Sequence, residues 1–246
     1  GRPAMAGAPL GIPDYNGLEV LSPMVRGSAL PMRLCCLQYG AGLVYSGATV
    51  DRSLLDSRRV EDAGTGRVDF LHHKDGRVVF STCAEERQHL IFQLGTRDSA
   101  VAVQAAMQVC QEARGIDINM GCPEPFLVGG GMGSALLDDP VAAADVLRTL
   151  RRELPQGCAL SCKIRMLPTA SRTRDFMQLC ERSGADAIAV HLRTTCDDRK
   201  VPAHWAQAAD VCSAVRVPVI VNGDFVSRAR IAEFWSQCGA AADGGD

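Results

Sequence analysis

Apolar residues recur along the chain in two alternating rhythms. Short β-branched or apolar runs bounded by turns give way to longer segments whose apolar positions return every three or four residues. The short runs predict strands at 19–22, 42–45, 90–94, 115–119, 159–164, 187–191 and 218–222. The longer segments predict helices at 30–39, 98–113, 140–153, 171–183, 203–214 and 227–238. In 98–113, Val101, Ala105, Val109 and Ala113 form one stripe, and Asp98 stands where a carboxylate favours the first turn. Pro31 and Pro140 are placed to open helices, and Pro218 to begin a strand. One stretch breaks the rhythm. Apolar runs at 68–71 and 78–80 flank His72-His73-Lys74-Asp75-Gly76, which predicts a small β-hairpin insertion near 67–81 with its histidines in the turn.

Repeated strand-then-helix units predict an α/β fold around a parallel sheet. Seven such strands build either an open doubly wound sheet or most of an eight-stranded barrel. Chemically distinctive residues follow nearly every strand: Pro23 and Met24, Gln93, Asn119 and Cys122, Lys163 and Arg165, His191 and Arg193, Asn222 and Gly223. A barrel gathers all those ends at one mouth, whereas an open sheet concentrates binding at its switch point. No GxGxxG run follows the first strand. The pattern therefore predicts a TIM-type (β/α)8 barrel that stops before its eighth strand.

With 246 residues, 47% of them apolar and 22% charged, the chain has enough apolar material for a large core. No apolar run is long enough to span a membrane, and residues 1–17, rich in Gly, Pro and Ala, read as a disordered tail without a secretory signal. The eleven cysteines are spread through predicted strands and helices, so reduced thiols are expected, and no Cys/His spacing makes a metal site. A formal charge of −2 gives no overall pull toward nucleic acid. A local basic scatter, from Lys163 and Arg165 to Arg199 and Lys200, reads equally as solvated surface or as an RNA-facing track.

The run Gly-Ile-Asp-Ile-Asn-Met-Gly-Cys-Pro at 115–123 carries the most information. It reads as a strand that delivers Asn119, Cys122 and Pro123 into a loop, with Gly129, Gly130, Gly131 and Gly133 following. Cys122 is either a thiol on display or a half-buried small apolar residue. Gln93 and Asn222 offer amide donors and acceptors, and Lys163 a charge able to stabilise an electron-rich ring, which together suit a flavin. Arg193 is suited to a phosphate, and His191, with an ordinary pKa of about 6.5, to proton transfer. Each also has a plain structural reading: an ion pair for Lys163, a loop cap for Gln93, a turn for Asn222-Gly223, a satisfied strand-end histidine for His191.

These residues fall within a set of motifs: Leu-Ser-Pro-Met-Val-Arg at 21–26 with Leu-Pro-Met-Arg at 30–33, Phe-Gln-Leu-Gly-Thr at 92–96, Asp-Ile-Asn-Met-Gly-Cys-Pro at 117–123, Gly-Gly-Gly-Met-Gly at 129–133, Cys-Lys-Ile-Arg at 162–165, Val190-His191, and Pro-Val-Ile-Val-Asn-Gly at 218–223. With them, residues 18–238 resemble the flavin-dependent tRNA-dihydrouridine synthases, most closely the eukaryotic cytosolic dihydrouridine synthase 2 type. The resemblance implies an FMN-binding barrel over 18–239, NADPH as reductant, tRNA as substrate and partner, no membrane association and a cytoplasmic location. It implies a cofactor-binding set of Pro23, Met24, Gln93, Lys163, His191, Asn222 and Gly223. Asn119, Arg165 and Arg193 would bind substrate, and Cys122 would be the catalytic acid, delivering a proton to uracil C5 as hydride reaches C6. Reduction of that double bond needs both hydride and proton, which agrees with the role.

The family's usual His-Gly-Arg reads His191-Leu192-Arg193 here. Residues 240–246 stand where the resemblance implies an eighth strand, carrying part of the FMN phosphate site, and then a helical tRNA-binding domain. The sequence thus predicts an open barrel edge, weak FMN and tRNA binding, and no particular oligomeric state. Two other functions stay open at this point: an FMN barrel acting on a free pyrimidine, and a non-catalytic RNA-associated homologue.

Overall fold

The computed structural model describes residues 11–198 and 200–242. The first elements are β1 (Val20–Leu21), α1 (Leu30–Gln38), β2 (Leu43–Tyr45), β3 (Thr49–Val50), α2 (Asp51–Leu55), β4 (Ser57–Glu61), β5 (Arg67–His72) and β6 (Val78–Cys83). Then come β7 (Leu90–Gly95), α3 (Ser99–Val109), β8 (Gly115–Met120), α4 (Pro125–Val128), α5 (Pro140–Glu153) and β9 (Ala159–Met166). The chain continues through α6 (Ala170–Arg182), β10 (Ala187–Thr194), α7 (Ala208–Cys212), β11 (Val219–Asn222) and α8 (Arg228–Ala242). Every expected strand and helix forms, although 203–214 is reduced to a 3-10 turn at Trp205–Gln207 followed by α7.

The main sheet runs β1-β2-β7-β8-β9-β10-β11, all parallel, with β3 added beside β7. This is the curved wall of a (β/α)8 barrel with β1 and β11 at its two edges, and among the described residues those edges do not pair. Successive strand residues point to opposite faces, which sorts the core in two. The outward set, including Phe92, Ile116, Ile118, Leu160, Ile164, Ile188 and Val190, packs in one cluster with Ala105 and Val109 of α3, Leu147 and Leu150 of α5, and Phe176 and Met177 of α6. The inward set is small at one end of the barrel, where Leu43, Tyr45, Ile91 and Ala187 pack around Tyr15.

That plug corrects the expected tail. Residues 1–10 lie outside the described residues, but Tyr15 is buried, and Arg114 donates to the Gly11 carbonyl. Helix starts are built as their sequences indicate. The Asp98 carboxylate accepts from the Ala100 and Val101 amides, and Asp139 accepts from Ala142 ahead of Pro140 at the start of α5.

The expected hairpin is one strand larger than its pattern. β5 and β6 pair antiparallel, and β4 adds itself to β5. Phe70 meets Phe80 at 5.8 Å, and Phe80 meets Phe92 edge-on at 4.8 Å, so this insertion is pinned to the outer face of the barrel. No helix of the described residues is long and apolar enough to cross a membrane. All eleven cysteines are free thiols, and among the described residues no His/Cys/Asp/Glu group is arranged to hold a metal.

Candidate active site

Strand register builds the site. Gln93, Asp117, Ser161 and Ala187 are successive neighbours across β7, β8, β9 and β10. Two residues further along, Asn119, Lys163 and Ala189 form the next row, with Ile220 of β11 beside Ala189. Arg165, His191 and Asn222 make a third. Each row faces the barrel interior, so residues up to 129 positions apart in sequence, Gln93 and Asn222, open onto one space. That cavity has a volume of about 1150 Å³, and Pro23, Met24, Gln93, Asn119, Cys122, Lys163, Arg165, His191 and Asn222 all border it. Ala189 between Lys163 and Ile220 leaves the centre of the wall low.

Polar groups in the first row hydrogen-bond to one another. Asp117, completely buried, accepts from Ser161 Oγ at 2.6 Å and from Gln93 Nε2 at 2.8 Å. Gln93 Oε1 accepts from Asn119 Nδ2 at 2.9 Å, and Asn119 Oδ1 accepts from the Gly121 and Cys122 amides at 3.2 and 3.0 Å. The Cys122 carbonyl accepts from the Ser134 amide at 2.9 Å, so the backbone of the thiol-bearing residue is held from both sides. Two glycines make the fit possible. A Cβ on Gly121 would stand 2.9 Å from Ile164 C, and one on Gly133, whose φ is +61°, would stand 2.5 Å from Cys122 O.

Burial shifts the charges of this wall. It pushes the Asp117 carboxyl up to about 6, against the hydrogen bonds of Ser161 and Gln93 and the nearby charge of Lys163. It brings Lys163 down to about 8, with Asp117 opposing and Arg165 adding to the fall. Among the described residues no hydrogen-bond acceptor meets the Lys163 ammonium, which faces the cavity. The plain reading of Lys163 as one half of a contact ion pair therefore does not hold: its relation to Asp117 acts through space.

His191 departs from the proton-transfer reading. Burial, together with the charges of Lys163, Arg165 and Arg193, brings it down to about 3. Arg193 NH1 lies 3.2 Å from His191 Nε2, and a guanidinium can only donate, so Nε2 accepts and the ring proton sits on Nδ1. His191 is a neutral hydrogen-bond donor at physiological pH. Arg193 itself is nearly buried behind the ring, donating to the Val201 carbonyl at 2.5 Å and to Asp224 at 2.6 Å, and it does not border the cavity. Asp224 is held below the usual carboxylate range because the Ala203 amide and Arg193 outweigh its burial. Gly223 also stands behind His191. At φ +134° its missing Cβ would lie 2.7 Å from Ala203 Cβ and 3.3 Å from His191 Cδ2, so it allows the ring its position and does not itself face a ligand.

Sequence reasoning passed over Asp117, Ser161, Tyr45 and Asp224. The signal for Asp117 was present: it stands two residues before Asn119 in a strand and therefore on the same face. Arg165 donates to the Thr194 carbonyl at 2.9 Å, which leans it across the rim.

Comparison with known proteins agrees with this geometry. A family model described as dihydrouridine synthase (Dus) matches residues 20–243. The tRNA-dihydrouridine(20) synthase (NAD(P)+) of Schizosaccharomyces pombe is 38% identical over 226 residues, covering 89% of this chain and 47% of that protein. Its Saccharomyces cerevisiae namesake is 37% identical over 220 residues, 85% of this chain and 57% of that protein. A human tRNA-dihydrouridine(20a/20b) synthase-like protein is 30% identical over 219 residues, 89% of this chain and 64% of that protein. The chain thus spans about half the length of the curated relatives it matches. Matched from its first barrel strand through its last described helix, with Asn119, Cys122 and Lys163 on one cavity wall, the chain belongs to the dihydrouridine synthase family.

Proposed function

We propose that this chain is the catalytic barrel of a tRNA-dihydrouridine synthase, which reduces the C5=C6 bond of a uridine in tRNA with FMN as cofactor and NADPH as reductant. The supporting observation is Cys122: a thiol at the cavity edge whose backbone is fixed by Asn119 and Ser134, on the same cavity wall as Lys163. FMN fits the residues present. An unmatched ammonium, the amide edges of Gln93 and Asn222, and a neutral imidazole donor face a space of about 1150 Å³, at or beyond the top of the range of roughly 300–1,000 Å³ usual for small-molecule sites. When bound and kept reduced by NADPH, FMN supplies the hydride that reaches uracil C6.

The chain's own residues do the rest. Lys163, with Gln93, His191 and Asn222, would hold the isoalloxazine ring, and its positive charge would favour the electron-rich form. Pro23 and Met24, in the turn after β1, line the same cavity and would pack beside the cofactor. Asn119 keeps the thiol loop in place and, with Arg165, borders the uracil. Cys122 Sγ–H gives its proton to C5 as the C6–H bond forms, leaving a thiolate that takes a proton back from solvent. Arg193 is assigned to His191, not to substrate.

Half-reactions test the proposal. Cys122→Ala should bind FMN nearly as the parent does and be reduced by NADPH, yet reduce uridine about 10²-fold more slowly, the scale of a lost positioned proton donor. Lys163→Ala should weaken FMN binding and slow reduction by NADPH as well. Equal loss of the NADPH half-reaction in both variants would mean that Cys122 supports cofactor or fold and gives no proton.

A further inference from the structure

We infer that Asp117 is a positioning residue: its carboxylate decides which way the Gln93 and Asn119 amides face, and through Asn119 it sets the loop that carries Cys122. The four links form one directed chain of hydrogen bonds. At one end stands a carboxylate, which when ionised can only accept; at the other stand the backbone N–H groups of Gly121 and Cys122, which can only donate. Between them Gln93 Nε2 donates to Asp117 at 2.8 Å, Asn119 Nδ2 donates to Gln93 Oε1 at 2.9 Å, and the two loop amides donate to Asn119 Oδ1 at 3.2 and 3.0 Å. Both ends demand the same polarity. Turning over either amide would set Gln93 Oε1 against a carboxylate or an Asn119 NH₂ against two N–H groups.

The chain is stiff because it is buried and short of alternatives. Relative exposures are 0% for Asp117, 1% for Gln93 and 7% for Asn119, so an unmade bond here is poorly replaced by water. The second carboxylate oxygen is taken by Ser161 Oγ at 2.6 Å, which keeps the Asp117 side chain from turning. The loop at the far end has little slack, since Gly121 already runs against the β9 backbone. The raised carboxyl of Asp117 marks what it costs to hold this charge inside, and Lys163 in the next row offsets part of that cost electrostatically.

What the positioning does for the proton step rests on the activity proposed above. The positioning itself does not, and a polarity swap tests it on the full chain without cofactor. Asn119→Asp places Gln93 between two carboxylates, so one contact must fail. Asp117→Asn added to it lets Gln93 turn over, accept from residue 117 and donate to residue 119, while residue 119 still accepts both loop amides at unchanged net charge. Hydrogen exchange at the Gly121 and Cys122 amides is the readout. It should speed up about 10-fold or more in Asn119→Asp and return to within about 3-fold of the parent in the double variant, a coupling on the scale of neighbouring hydrogen-bonded groups. Gln93→Leu, which cuts the link, should abolish the rescue. If Asn119→Asp does not fold, recovery of folded protein on adding Asp117→Asn reads the same coupling. A double variant that exchanges or fails as badly as Asn119→Asp alone overturns the inference. That failure is distinct from failure of the activity, which the Cys122 half-reactions report.

Discussion

Glu86→Gln reaches the site from outside it. Arg33 and Glu86 are 2% and 0% exposed, and the guanidinium meets the carboxylate twice at 2.7 Å, from Nε and from one terminal nitrogen. Two of the three remaining N–H donors go to the Ser28 carbonyl at 2.6 Å and the Ser81 carbonyl at 2.7 Å. Removing one partner of a buried pair leaves an uncompensated charge, which costs about 3–5 kcal/mol. Gln keeps one carbonyl oxygen and all of the volume, and Arg33 keeps its two backbone acceptors, so the lower end applies: about 3 kcal/mol, or about 6–12 °C in Tm for a chain of this size. The loss extends to the cofactor turn. Ser28 Oγ accepts from the Met24 amide and donates to Ser22 O, so loosening the Ser28 backbone frees Pro23 and Met24. Thermal unfolding followed by circular dichroism measures the first effect, and FMN titration by fluorescence quenching the second. A Tm within about 2 °C of the parent would refute the reasoning, because a buried guanidinium cannot lose its counter-charge at so little cost.

Three further outcomes follow from the site. Lys163, brought down to about 8, is charged below that pH and neutral above it, so FMN affinity should fall between pH 7 and 9, and Lys163→Arg should flatten the dependence; a dissociation constant indifferent to pH in the parent would count against a charged Lys163. In the folded state alone the sign is the opposite: the depressed Lys163 binds less proton than the unfolded chain between about 8 and 10.5, so it makes stability rise with pH there. His191, at about 3, should show no ring titration between pH 5 and 8 in an NMR pH series, and a midpoint near 6.5 would undo its assignment as a neutral donor. Gly121→Ala sets a Cβ 2.9 Å from Ile164 C and 3.0 Å from Arg165 N, both backbone atoms; denaturant unfolding should show a loss of about 1–3 kcal/mol, and unchanged stability would mean the loop has slack.

What the sequence disclosed follows from where the physical cause lies. Barrel strands and helices were legible because burial against one partner layer imposes a period on a contiguous segment. β4 was not, since Ser-Arg-Arg-Val-Glu holds one apolar residue and its strand state is lent by β5, whose paired residues lie seven to fifteen positions on. The cavity-facing residues could be read from residue type and strand-end placement, and nine of them meet around one space. Arg193, read by the same reasoning, stands outside that lining. Its residue type fits a phosphate, but its partner Asp224 lies 31 positions away and takes the charge. Asp117 escaped because a mid-strand acid has meaning only once its neighbours Gln93 and Ser161, from two other strands, are beside it.

That non-local layer also decides how the cavity divides its protons. A fold that buries the His191 imidazole and places Lys163, Arg165 and Arg193 around it removes His191 as an acid, because burial first and then each cation adds to the cost of a charged ring. For the proposed reaction, the Lys163 ammonium and the Cys122 thiol are the proton donors to weigh, both bordering the cavity. Their mountings differ. Lys163 rises from the middle of β9 beside Asn119, with Asp117 below it sustaining its charge, and giving up that proton would leave the buried carboxylate unbalanced. Cys122 hangs on a loop at the rim, held by backbone hydrogen bonds that are indifferent to the state of its sulfur. For the proposed reaction, the hydrogen bonds that hold the thiol loop run to backbone atoms and do not use the sulfur. That difference in mounting is why the proposed reaction assigns the proton to the loop-borne Cys122 and the support of the cofactor to the strand-borne Lys163.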